Sequence, residues 1–134
     1  MPTVADYMVL EDGAFTLDAS SNATLERRFP IRFERPDGFV VGTNFAKPVL
    51  FYQVIPETSL SWLVAINDDF STETEDVPQH QIHEAMSSST PTWRTIHEPI
   101  SGHALSDSVN TISFRAVSGR GRIADVVMLY QVQI

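Results

Sequence analysis

The sequence contains no cysteine. That absence excludes a disulfide scaffold, a thiolate nucleophile and every cysteine-ligated zinc or iron-sulfur centre. Lysine is nearly missing too: Lys47 stands alone beside eight arginines, and nine basic residues face 17 acidic ones for a formal charge of -8. A surface so acidic argues against nucleic acid, whose affinity rests on neutralised phosphates. Apolar runs stop at five or six residues, against the roughly 20 a membrane-spanning helix needs. No membrane partner is expected. Met1 to Met8 lacks the basic and apolar segments of a secretory signal, so cytoplasmic is the default expectation. With 134 residues there is room for one domain, 1–134, which can bury about two-thirds of its unfolded surface.

What the chain does have is period-two alternation. Phe29, Ile31 and Phe33 alternate with Arg28, Arg32 and Glu34; Leu60, Trp62, Val64 and Ile66 with Ser61 and Ala65; Ile112, Phe114 and Ala116 with Ser113 and Arg115. Each reads as a strand with one buried face. Pro30 cannot donate to a ladder, so its strand belongs at an edge or carries a bulge. Further strands are expected near Ala5–Leu10, Ala14–Leu17, Phe39–Thr43, Val49–Ile55, Trp93–Ile100 and Ile123–Ile134, with turns at Glu11–Gly13, Pro36–Gly38 and Ser118–Gly121. Only Gln79–Met86 has room for one or two helical turns. About eight or nine strands without intervening helices select an all-β antiparallel sandwich.

Two strands are apolar on both faces. Val49, Phe51 and Ile55 oppose Leu50, Tyr52 and Val54; in the last strand Ala124, Val126, Met128, Tyr130, Val132 and Ile134 face one way while Val127 and Leu129 interrupt the other. A sandwich strand normally leaves one face in water. The second face therefore calls for a covering loop, a partner copy in a homo-oligomer, or a ligand on a concave sheet.

Lys47-Pro-Val-Leu-Phe-Tyr-Gln-Val, then Leu60-Ser-Trp-Leu-Val-Ala-Ile-Asn67, resembles paired strands of the galactose-binding-like and carbohydrate-binding-module jelly rolls. Leu105–Arg115 and Gly119–Gln131 are similar to their closing strands. The resemblance covers about half the chain, at framework positions, and implies a jelly-roll fold more directly than a ligand. Asp68–Asp69 replaces the glycine expected after Asn67 and lengthens the loop there.

Three constellations carry candidate chemistry. Asn67, Asp68, Asp69 and Glu73 open an acidic stretch whose oxygens suit calcium, an ion that related jelly rolls often carry; the plain alternative is a solvated loop. His80 and His83 stand three apart, with His97 and His103 beyond, matching neither a helical nor a strand metal motif. For glycan recognition an exposed aromatic ring meets sugar C–H groups while flanking polar groups fix hydroxyls. Trp62 shares its face with aliphatic residues and reads as core. Trp93 continues into Thr95 and His97 and reads as a platform, with Tyr52, Gln53, Arg94 and Arg115 as further ligand-binding candidates.

No Gly-x-Ser-x-Gly elbow or other nucleophile motif is present, and Gly119-x-Gly121 leads into a strand rather than a phosphate-binding helix. A non-catalytic, lectin-like module for carbohydrate is the expected function. The alternatives are an oligomeric structural or assembly subunit meeting through apolar sheet faces, and a small cyclase- or isomerase-type enzyme with an enclosed cavity.

Overall fold

The alternating segments form eight strands in the computed structural model, which describes residues 2–40, 45–67, 81–100 and 105–133. They are β1 (Thr3–Asp18), β2 (Arg28–Glu34), β3 (Val49–Pro56), β4 (Leu60–Ile66), β5 (Gln81–Ala85), β6 (Arg94–Pro99), β7 (Val109–Ser118) and β8 (Arg120–Gln133). A single turn of helix, α1 (Thr24–Arg27), precedes β2. One sheet has the order β1-β8-β3-β6 and the other β2-β7-β4-β5. Every pairing is antiparallel. First strand pairs with last, second with seventh, third with sixth and fourth with fifth. Such nesting is one long hairpin rolled into two Greek keys, the jelly roll.

Inward positions of both sheets fill one core, in which Leu17, Leu50, Tyr52, Val54, Leu60, Trp62, Ile112, Phe114, Ile123 and Met128 are essentially inaccessible. Aromatic rings lock it across the sheets: Phe15 stacks on Phe29 at 3.9 Å, and Tyr52 meets Phe114 edge-on at 5.1 Å. Pro30 lies on β2, an edge strand, where its missing N–H breaks no ladder. The β7–β8 turn depends on Gly119. Its φ is +77°, and a Cβ there would run into the Ser59 carbonyl oxygen. Any other residue meets both strain and a clash.

Three readings of the sequence need correction. Glu11–Gly13 is not a turn: β1 runs through it, with register shifts between Val9 and Glu11 and between Glu11 and Ala14. Gly13, at φ +101°, absorbs the irregularity without reversing the chain. Opposite it β8 bulges at Asp125, at φ +54°, whose Oδ1 accepts the Gly13 N–H at 3.3 Å. That bulge also switches which residues of β8 face inward. Ile123 joins the core with Val126, Met128, Tyr130 and Val132, and Ala124 moves to the outer face opposite Gln53. Gln81–Ala85 is a strand, not a helical turn, because β4 offers it an open ladder edge. Phe39 makes only an isolated bridge to Val132; residues 41–43 of the strand expected there lie outside the described residues.

The doubly apolar strands are present as the alternation required, and β4 joins them. Leu63 and Ala65 are buried on its outer face, in a small cluster with Val117. On β3 and β8 the second face stays partly open: Val49, Phe51, Ile55 and Val127 are half-buried and Leu129 is exposed.

Candidate glycan-binding face

The outer face of the β1-β8-β3-β6 sheet is assembled by register. Phe51 lies beside Val127 on one side and His97 on the other; Gln53 lies between Ala124 and Thr95. Val49 adjoins Leu129 and Pro99, and Ile55 adjoins Arg122. Alternation sends all of these away from the core, because Leu50, Tyr52 and Val54 on the same strand point into it. Trp93, just before β6, closes one end of this surface. It is 41% exposed, and the Arg122 guanidinium carbon sits 5.8 Å from its ring centroid. Further along, the His97 ring lies 5.1 Å from that of Phe51. From Phe51 to Ile55 the strand advances roughly 14 Å at about 3.4 Å per residue, a length suited to a few linked sugar rings.

The polar side chains of this surface are uncommitted. Gln53, Thr95, His97 and Arg122 make no hydrogen bond or ion pair with the described residues. Outward positions on β3 and β6 carry no carboxylate; the nearest acidic group on β8, Asp125, is engaged with the Gly13 N–H. Aromatic surface interleaved with free donors and acceptors is the combination a sugar ring requires.

Beneath the same strands lies a second polar group, turned inward. Glu98, one residue from His97, is only 4% exposed. Its Oε2 accepts from His83 Nε2 at 3.1 Å, joining edge strand β6 to edge strand β5 across the sandwich. The His83 ring stacks on Trp62 at 5.5 Å, and Trp62 Nε1–H donates to the Tyr52 hydroxyl at 3.0 Å. Burial, then the Glu98 charge, pushes the Tyr52 phenol far above its ordinary range. These groups satisfy one another, which is what a buried polar cluster must do.

Of the residues expected to bind ligand, Trp93, Gln53 and His97 share the outer face. Tyr52 does not: it follows Phe51 and precedes Gln53, so alternation buries it, and the outward ring is Phe51. Arg94 turns away from Trp93, with Nη2 donating to the Met86 carbonyl at 3.1 Å. Arg115 belongs to the other sheet, opposite Arg28 and Leu63, and cannot reach this surface. Phe51 and Arg122 were not singled out by the sequence as ligand residues; counting parity from the buried Tyr52 identifies the first. Asp68, Asp69 and Glu73 of the calcium set, with His80 and His103, lie outside the described residues. Asn67, at φ +53°, caps β4: its Oδ1 accepts the Thr111 N–H at 2.9 Å and its Nδ2 donates to Asn110 Oδ1 at 2.9 Å.

No family model matches the chain, and no curated protein matches it. Among solved structures it is similar to a family 11 carbohydrate-binding module from Clostridium thermocellum, in complex with a β-1,3-1,4-mixed-linked tetrasaccharide. Identity is 11% over 96% of this chain and 84% of that one, at a TM-score of 0.40. It is also similar to part of a cycloalternan-forming enzyme from Listeria monocytogenes, at 16% identity over 75% of this chain and TM-score 0.42. A family GH115 4-O-methyl-α-glucuronidase gives 12% identity over 96% of this chain, also at 0.42. The chain spans 8% of the Listeria enzyme and 18% of the glucuronidase. These likenesses concern the sandwich framework, and no side chain is carried over from them.

Proposed function

We propose that the domain is a non-catalytic glycan-binding module whose ligand lies on the outer face of the β1-β8-β3-β6 sheet. The observation that carries this reading is the exposed Trp93 ring at the end of a surface that presents Phe51 together with Gln53, Thr95 and His97, whose side chains have no hydrogen-bond partner among the described residues. Pyranose rings stack on the aromatic groups, and the polar side chains read their hydroxyls. A glycan array run with the wild type and Trp93→Ala tests it. Binding that disappears in the variant supports the assignment; binding indifferent to the substitution overturns it.

A second reading rests on a different part of the same face. On the β1-β8 half, Tyr7 is 63% exposed and Val9 53%, beside Leu129 at 41%, and this strip has few polar groups. Exposed apolar strips of this kind also serve as contacts between copies. Sedimentation equilibrium distinguishes them: a strict monomer at high concentration removes the second reading, and dissociation by Leu129→Gln supports it.

A further inference from the structure

We propose that the glycan held on this face carries a carboxylate, and that Arg122 is the residue that holds it; the inference rests on the glycan-binding reading above. Two arginines flank Gly121, and the fold treats them oppositely. Arg120 Nε lies 2.6 Å from Glu57 Oε2 and its Nη1 lies 3.0 Å from Asp18 Oδ2, so its charge is already matched by carboxylates at the ends of β1 and β3. Arg122 has no carboxylate partner among the described residues. It projects from the outer face of β8 opposite Ile55 and Thr16.

In a chain with 17 acidic residues, an arginine with no carboxylate partner among the described residues, beside an exposed tryptophan, is available for an anion from outside. Contact with the indole steadies the guanidinium at 5.8 Å from the ring centroid. It also leaves N–H edges free for the bidentate contact a carboxylate accepts. A sugar ring stacked on the open part of Trp93 brings its substituents alongside that fork. The outward positions of β3 and β6, Val49, Phe51, Gln53, Ile55, Thr95, His97 and Pro99, contribute no acidic group to repel that ligand carboxylate, and the two carboxylates diagonal to Arg122, Asp18 and Glu57, are already paired with Arg120. The net charge of -8 sets an upper limit on the ligand. Densely charged polymers, such as heavily sulfated glycans, are repelled by the molecule as a whole, whereas a uronic acid within a largely neutral chain is held locally.

The test uses matched ligands differing only in charge: an oligogalacturonide and its methyl ester, titrated calorimetrically, with a sulfated oligosaccharide as a third arm. Wild type is expected to bind the free acid about tenfold more tightly than the ester, the worth of one charge-assisted hydrogen bond. Arg122→Gln is expected to bring acid and ester to the same affinity, and Arg122→Lys to restore part of the preference, since it keeps the charge but loses the fork. Unchanged thermal midpoints for both variants establish that the fold is intact. Equal binding of acid and ester by the wild type, with both lost in Trp93→Ala, overturns the carboxylate assignment and leaves the glycan reading standing. The same assignment is overturned by an acid preference that survives in Arg122→Gln, or by tightest binding to the sulfated ligand. Failure to bind these ligands and every glycan of the array removes the reading on which the inference rests, and the inference with it.

Discussion

The two sides of one pair of strands, β3 and β6, carry nearly the same kinds of residue to opposite ends. Inside stand a tyrosine and a glutamate that meet a tryptophan and a histidine from β4 and β5; outside stand a phenylalanine, a histidine and a glutamine beside Trp93. The inner group is closed: Trp62 donates to Tyr52, His83 lies against Glu98, and both rings stack. The outer group is open, its polar atoms lacking hydrogen-bond partners among the described residues. Residue type therefore does not distinguish the structural side chains from those proposed to bind ligand. What distinguishes them is whether their polar atoms already have partners.

The sharpest way to break this contrast is to treat the two tryptophans alike. Trp62→Ala removes a fully buried ring and orphans the Tyr52 hydroxyl, and is expected to cost about 3–5 kcal/mol in urea denaturation. Trp93→Ala is expected to stay within about 0.5 kcal/mol of wild type while losing glycan binding. A Trp93 variant as unstable as the Trp62 variant would make the outer ring structural and end the comparison. The adjacent pair on β6 repeats the experiment at smaller scale. Glu98→Ala leaves His83 half-buried without its acceptor, for an expected loss of about 1–3 kcal/mol; Glu98→Gln, which keeps an acceptor, should lose less. His97→Ala, one residue away, is expected to leave the denaturation midpoint unmoved and weaken binding.

Alkaline titration separates inner from outer without substitution. Because burial and the Glu98 charge raise the folded-state Tyr52 pKa, its neutral form stabilises the fold. That contribution is complete below the ordinary phenol value of about 10 and is lost as pH rises toward the raised value. Tyrosinate absorbance from Tyr52 is therefore expected to appear together with unfolding rather than before it. A tyrosine count that reaches completion in the still-folded protein would place water at the inner cluster.

The sandwich was legible because alternation is a local signal: the aliphatic members of β2, β4 and β7 announced their inward faces, and Pro30 its edge. The double-sided pattern of β3 was legible for the same reason. β5 was not, because nothing within Gln81–Ala85 distinguishes a short polar strand from a helical turn; the open edge of β4, distant in sequence, decides it. Nor was the parity switch in β8, since an aspartate at positive φ is uncommon and no pattern marks it. At the candidate face, Trp93 could be recognised from the polar residues that follow it. Tyr52 and Gln53 cannot both face a ligand, because consecutive strand residues point apart, and a strand apolar on both faces does not say which of its faces is the core; it is Tyr52 that is buried. Arg115 was misassigned because outward on its own strand means the far side of the molecule.

The smallest expected effect concerns the arginine that the fold has already used. Asp18 Oδ1 accepts from the Ser20 N–H and hydroxyl, each at 2.9 Å, and its Oδ2 from Arg120. The Ser20 bonds first, and Arg120 after them, hold its pKa below the ordinary carboxylate value. A lowered folded-state pKa means that ionised Asp18 favours the fold. The contribution is present above the unfolded value of about 3.9 and lost as pH falls through the folded one. Asp18→Asn is therefore expected to be slightly less stable than wild type at neutral pH, with the gap closing in acid, as read from thermal midpoints across that range. Arg122→Gln, at the neighbouring arginine, is expected to follow the wild-type curve throughout. If its curve instead tracked that of Asp18→Asn, Arg122 would belong to the ion-pair network of Arg120, Asp18 and Glu57, and the carboxylate it is proposed to hold would lose its receptor.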